Sequence, residues 1–296
     1  MSTLLGPALP AYVNNIAAVV QLALAEDIGS GDVTARLATA SETAQARILS
    51  RDAAVLCGRP WVEEIFRQID PRVQLEWPFV DGAKVQPEDV ILRLSGPVRS
   101  LLTGERSAIN FLQTLSGTAT RVRRYVDAVA GTGTGTKIVD TRKTLPGLRN
   151  AQKYAVLCGG GVNHRIGLYD GILIKENHIA AAGGIAQAIA AARALHASVA
   201  LMTEAENLDE ARAALQADVD LLLVDDFPIA ELRAAVALTH EHRHTGGHTL
   251  IEYSGGTTLE RVRTLAETGV DRISVGALTK HVHAVDLSMR VTATQV

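Results

Sequence analysis

The chain has 296 residues, room for one large domain or two of ordinary size. Its 29 Lys+Arg against 32 Asp+Glu leave a formal net charge of −3, which argues against a surface built to grip nucleic acid or anionic membrane. Hydrophobic residues at 47% provide a sizeable core, and aromatics at 4% provide no base-stacking platform.

In chain order, Ile16 to Glu26 reads as an amphipathic helix, with Glu26-Asp27 and Gly31-Asp32 as turns. Ala44–Ser50 alternates, and Val73–Trp77 and Val90–Leu94 are strand-like, with a turn signal at Asp81-Gly82. Strands grouped in this way, with few crossover helices, predict an α+β domain over 1–118. A helix from about Glu105 to Leu115 is expected to lead, past Gly117, into a second from Arg121 to Val129. The Gly131-Thr-Gly-Thr-Gly-Thr136 stretch follows a helix and precedes a strand, the wrong order for a dinucleotide fingerprint, and reads as a linker.

From Lys137 onward, short apolar runs alternate with helical patterns. Six strands are expected: Lys137–Asp140, Gly171–Lys175, Ser198–Glu204, Asp220–Asp225, Thr249–Tyr253 and Arg272–Val275. Between them run helical stripes such as Leu208, Ala211, Leu215 and Leu259, Val262, Leu265. Repeated β–α units of this number predict an open, incomplete α/β barrel over 119–278. The tail, 279–296, contains an alternating stretch at Val285–Val291 that is expected to return to the first domain.

Two cysteines, Cys57 and Cys158, are too few for a disulfide framework or a zinc site and fit a reducing cytoplasmic setting. No basic stretch followed by an apolar run occupies Met1 to Ala11, so no signal peptide is expected. The Ala-rich run Ile185–Ala197 is interrupted by Gln187, Arg193 and His196, so no membrane span is expected either.

Charge is concentrated in one place. Lys137, Arg142, Lys143, Arg149, Lys153, Arg165 and Lys175 face only Asp140 and Asp170 within their segment, which therefore carries +5 while the remaining 22 basic and 30 acidic residues sum to −8. A basic island in an acidic chain reads as a pocket for a small polyanion. Barrel chemistry collects at the carboxyl ends of strands, and those ends here carry Thr141-Arg142-Lys143-Thr144, Lys175-Glu176-Asn177-His178, Glu204 and Asp225-Asp226. The last two ends are glycine-rich, Tyr253-Ser254-Gly255-Gly256 and Val275-Gly276-Ala277, and phosphate commonly binds there. A phosphosugar is the expected ligand, with Glu204 and Asp225 sharing a Mg2+ that arrives with it, directly or through water. His240, His242, His244 and His248 lack the ligand spacing of a zinc site and read as a solvated helix end and loop. His281 and His283 are read either at phosphate or on the surface.

The run Thr141-Arg142-Lys143-Thr144-Leu145-Pro146-Gly147-Leu148-Arg149, followed by Gly159-Gly160-Gly161-Val162-Asn163-His164-Arg165, closely resembles the quinolinate phosphoribosyltransferase family. The likeness extends through Leu173–His178, Ser254-Gly255-Gly256 and Ser274–Leu278, and in the first domain through Gly31–Thr34, Cys57-Gly58, Gly104-Glu105-Arg106 and Asn110-Phe111. It implies a type II phosphoribosyltransferase with an α/β-sandwich N-terminal domain, an open α/β barrel, and a homodimer whose pocket is closed by the partner's N-terminal domain. By the same resemblance, Arg106 reaches into the neighbouring site, and Arg142, His164, Arg165 and Lys175 hold the carboxylates of quinolinate. Lys143, Glu204, Asp225, Ser254, Gly255, Gly256, Gly276 and Ala277 then handle phosphoribosyl pyrophosphate and magnesium. One departure is visible: Met202 stands where the family often has the first Glu of a Glu-x-Glu-x-Glu run, which puts a supporting polar contact in doubt.

The implied reaction is attack of the pyridine nitrogen on the anomeric carbon, loss of pyrophosphate, then departure of the adjacent carboxylate as CO2, with Lys175 or His164 supplying the proton. Two other readings share the fold. A transferase for a single-carboxylate ring such as nicotinate is opposed by the retained Arg106, Arg142 and Arg165. An accessory protein in molybdenum transport would be expected to have lost the paired basic residues.

Overall fold

The computed structural model describes residues 6–295; residues 1–5, the start of the stretch read as carrying no signal peptide, and residue 296, the end of the tail, lie outside it. The chain forms two compact units. One comprises the chain up to Arg123, Thr144–Gly160 and everything from Leu278; the other comprises Arg124–Lys143 and Gly161–Ala277.

The first unit contains α1 (Ile16–Ile28), β1 (Thr43–Ser50), β2 (Ala54–Val55), α2 (Arg59–Ile69), β3 (Gln74–Glu76), β4 (Lys84–Val85), β5 (Val90–Pro97) and most of α3 (Val98–Val129). Alternation in β1 turns Ala44, Ala46 and Ile48 inward and leaves Thr43, Gln45 and Arg47 outside. In α2, Trp61, Val62, Ile65 and Phe66 recur at helical spacing and form one buried face. The last strand, β12 (Leu287–Gln295), pairs antiparallel with β1, giving a sheet ordered β12-β1-β5-β3.

Two sequence expectations change here. The two helices expected around Gly117 are one continuous helix, α3. Gly117 does not break it; a Cβ at that position would lie 2.1 Å from the carbonyl oxygen of His283, so the glycine lets the tail cross the helix. Residues 144–160, placed with the barrel from the sequence, cluster with the first unit. The cause is the apolar side of α4 (Arg149–Cys158), whose Ala151, Tyr154, Ala155 and Cys158 are buried in that unit's core.

The second unit is built on six parallel strands: β6 (Lys137–Val139), β7 (Gly171–Ile174), β8 (Ala200–Ala205), β9 (Leu221–Asp225), β10 (Leu250–Ser254) and β11 (Arg272–Ser274). Their order is β6-β11-β10-β9-β8-β7, an open sheet with β6 and β7 at its edges, matching the six expected strands of an unclosed barrel. Helices α5 (Glu176–Ala182), α6 (Ile185–Ala194), α7 (Leu208–Gln216), α8 (Ile229–His244) and α9 (Val262–Ala266) fill the crossovers, and α10 (Ala277–Lys280) follows β11. Leu221, Leu222, Leu223 and Val224 of β9 are all buried, as a strand covered on both faces requires. None of the described helices is long and apolar enough to cross a membrane.

Candidate active site

Parallel strands point one way, so their carboxyl ends gather the residues singled out above along one edge of the second unit. In sheet order the ends carry Asp140 to Lys143 after β6, Val275-Gly276 after β11, Ser254-Gly255-Gly256 at β10, Asp225 at β9, Glu204 in β8 and Lys175 after β7. Lys175 Nζ lies 2.7 Å from Glu204 Oε2, and Glu204 is buried. Asp225 is half-buried on the neighbouring strand.

The glycine loop is shaped by Asp226. Gly255 has φ +105°, and a Cβ there would lie 2.8 Å from the Asp226 nitrogen, while the Asp226 N–H donates to the Ser254 carbonyl at 2.8 Å. Gly276 lies under the Lys143 stem: a Cβ would meet Lys143 Cδ at 3.0 Å. Two close-approach glycines and an exposed lysine thus line one side of the strand ends, an arrangement suited to phosphate.

The basic side is more buried. Val162 pairs with the edge of β6, its N–H donating to Ile138 O at 2.9 Å, which sets the path of Asn163-His164-Arg165. Asp140, fully buried, clamps that path by accepting the His164 N–H and the Asn163 side-chain amide, each at 2.8 Å. Arg165 donates from Nη1 to Gly171 O at 2.9 Å. Burial lowers the Arg165 guanidinium's affinity for its proton, and the nearby Arg142 lowers it further. Two guanidinium groups close enough to repel through a partly buried site are stabilised by an anion with two charges.

His164 is buried. Its Nδ1 accepts the Arg165 N–H at 2.7 Å, which leaves the ring proton on Nε2, and Nε2 faces Glu252 Oε1 at 3.7 Å. Sequence reasoning missed Glu252, as it did Asp140. The signal was present: a glutamate inside the apolar strand Leu250-Ile251-Glu252-Tyr253 that is buried on both faces.

Arg106 belongs to the first unit, where it is exposed on α3, and Ala277 opens α10 directly after Gly276. Met202 is buried on β8 with its methyl directed at Gly171, a packing role in place of a polar one. His240, His244 and His248 are exposed, as a solvated helix end and loop requires, while His242 of α8 and His248 after it contact Asp218 at 2.8 and 2.9 Å, and the acidic partners Asp220 and Asp218 raise His248. In the first unit, Cys57, Cys158 and Asp81 meet, their ligand-type atoms all within 4.8 Å, a proximity that sequence separation hides. Asp81 is already satisfied by the Arg59 N–H at 3.3 Å and the Tyr154 hydroxyl at 3.0 Å, and burial holds the Cys57 thiol protonated.

Residues 32–116 match the N-terminal domain of quinolinate phosphoribosyl transferase, and residues 118–290 match its C-terminal domain. The chain is 41% identical over 268 residues to a probable nicotinate-nucleotide pyrophosphorylase (carboxylating) of Bacillus subtilis, covering 90% of each. It is 39% identical to the nicotinate-nucleotide pyrophosphorylase (carboxylating) of Mycobacterium leprae, over 91% of this chain and 95% of that one. The structure of the nicotinate-nucleotide pyrophosphorylase from Francisella tularensis superposes with a TM-score of 0.88 at 44% identity, covering 94% of this chain and 96% of that one. Both of its halves match, and the chain belongs to the quinolinate phosphoribosyltransferase family.

Proposed function

We propose that the protein transfers phosphoribosyl from phosphoribosyl pyrophosphate to quinolinate with decarboxylation, giving nicotinate mononucleotide, pyrophosphate and CO2, a step of de novo NAD synthesis. The observation that carries this reading is the partly buried guanidinium of Arg165, which feels the charge of Arg142, in the same unit as the Lys175–Glu204 ion pair. Two vicinal carboxylates on a flat ring complement two planar guanidinium groups better than a single carboxylate does.

In this reading the Ser254-Gly255-Gly256 loop, Gly276, Ala277 and Lys143 hold phosphoribosyl pyrophosphate. Glu204 and Asp225, on adjacent strands, suit Mg2+ carried by the substrate's own phosphates, because magnesium needs only one or two protein carboxylates when phosphates supply other ligands. When bound, that ion would neutralise the pyrophosphate that leaves. The two carboxylates also favour the positive charge that develops on the ribose ring as the pyridine nitrogen attacks. Departure of CO2 then leaves its electron pair on the ring carbon as an ylide, stabilised by the adjacent quaternised nitrogen, and that carbon takes a proton. The engagement of His164 with the Arg165 N–H and Glu252 favours Lys175, paired and half-exposed, as the proton's source.

The exposed Arg106 of the first unit fits a homodimer in which one protomer lends this residue to its partner's site. A reducing cytoplasmic setting suits two free buried cysteines. The reading is tested by incubating the protein with quinolinate, phosphoribosyl pyrophosphate and Mg2+, with nicotinate in parallel. Stoichiometric CO2 and nicotinate mononucleotide from quinolinate support it; product from nicotinate alone, or none from either, overturns it.

A further inference from the structure

The sheet register puts a second acid in the same row as the site's own. Glu204 of β8 lies opposite Leu223 of β9, Leu223 opposite Glu252 of β10, and Glu252 opposite Arg272 of β11. Residues in register project from one face of a sheet, so Glu252 shares the face of Glu204. Its side chain has no solvent exposure, and neither carboxylate oxygen meets a hydrogen-bond donor in good geometry. Its neighbours include Arg272, with Nε at 3.0 Å from Oε2, His164, with Nε2 at 3.7 Å from Oε1, and Ser274.

A buried carboxylate without hydrogen bonds is costly, and a structural role alone would be served better by an apolar residue in an apolar strand. The position is therefore informative. His164 is tied through Nδ1 by Arg165 and through its backbone by Asp140, and its Nε2 faces Glu252. Glu252 Oε1 faces that side at 3.7 Å, longer than a formed hydrogen bond, and Arg272 pairs with Glu252.

We infer that Glu252 is a positioning residue: anchored by Arg272, it fixes the ring of His164 with its proton on Nε2 and so holds the adjoining Arg165 where it meets the two carboxylates of quinolinate. It acts through His164 and touches no substrate. The KM arm of the test below rests on the quinolinate reading; the ring arm does not.

The decisive variant is the double replacement Glu252→Leu with Arg272→Met, which removes both charges together and leaves no unpaired ion inside the protein. Glu252→Gln keeps shape and an acceptor oxygen. Partners that orient a metal-binding histidine are commonly worth 10–100-fold, and on that scale the double variant should raise the quinolinate KM by about tenfold, with the KM for phosphoribosyl pyrophosphate within about threefold. Glu252→Gln should recover most of that loss. Long-range proton–nitrogen spectra of 15N-histidine protein, assigned with His164→Gln, should show the Nε2–H form of His164 in the parent and in Glu252→Gln, and a tautomer mixture in the double variant. A folded double variant with the parent's quinolinate KM and the parent's His164 tautomer overturns the inference. If the parent itself does not turn over quinolinate, the functional reading fails while the ring spectra still decide the role of Glu252.

Discussion

Lys175 and Glu204 form an ion pair across adjacent strands, Nζ to Oε2 at 2.7 Å, with the glutamate buried and the lysine side chain 44% exposed. The exposure matters, because a lysine held on one side by a carboxylate and open on the other can meet an anionic substrate without losing its partner. Lys175→Met should lower kcat with quinolinate by about 10²–10⁴-fold, the range for a lost proton donor. Glu204→Gln should have a comparable effect. Because the two groups touch, the double variant should be little worse than the poorer single one, which CO2 release under saturating substrates would measure. Additive losses would mean that the pair does not act as a unit.

Arg106 and Lys175 offer a test of the shared site. Under the proposed homodimer, Arg106→Ala and Lys175→Ala should each abolish turnover, one removing a charge lent by the partner and the other a charge of the site's own protomer. Mixing the two purified variants under conditions that allow subunit exchange should restore part of the activity, because one hybrid site in each mixed dimer carries neither change. Dead mixtures of folded, exchanging dimers would contradict the proposal that Arg106 crosses to the partner.

Much of the second unit was legible in its sequence for a physical reason. Strands buried on both faces must be short apolar runs, so the charges that end them stand out, and Lys175, Glu204 and Asp225 are found at those ends. What stayed hidden depends on register and on distant chain. Glu252 is inside a strand, and its meaning appears only when β10 is laid beside β11 and against His164. The continuity of α3 was obscured because Gly117 answers to His283 rather than to its own helix. Asp140 reads as the end of a strand until the segment from Val162 to Arg165 returns to it.

Gly255 and Gly276 should separate backbone strain from side-chain crowding. Alanine at Gly255 meets Asp226 backbone at 2.8 Å and must adopt φ near +105°, so Gly255→Ala should cost roughly 1–3 kcal/mol of stability and raise the KM for phosphoribosyl pyrophosphate more than tenfold. Alanine at Gly276 meets the Lys143 stem at 3.0 Å and Thr141 Oγ1 at an ordinary 3.6 Å, and a lysine stem can swing aside. Gly276→Ala should therefore melt near the parent temperature while raising the same KM several-fold, with the quinolinate KM unchanged. Thermal melts and paired KM measurements distinguish the two.

The pH dependence of stability should carry the mark of two buried acids. Burial raises Glu252 to about 7, against the pull of Arg272 and Ser274 and with help from the nearby Asp140; His164 faces its other oxygen. Burial likewise raises Asp81 to about 6, although Arg59 and Tyr154 favour its charged form. In the unfolded chain these groups release their protons near 4.5 and 3.8. Between the unfolded and folded values the native state holds a proton that the unfolded chain has lost. Stability contributed by each group is therefore complete below its unfolded value and declines as pH rises through the folded one, at most about 1.4 kcal/mol per pH unit per group. Denaturant titrations at intervals between pH 5 and 8 should show Glu252→Gln flattening this decline relative to the parent, most visibly from pH 6 to 7, where Asp81 contributes less. An unchanged slope in a folded Glu252→Gln protein would show that Glu252 is ionised in the native state throughout, with Arg272 rather than burial setting its charge.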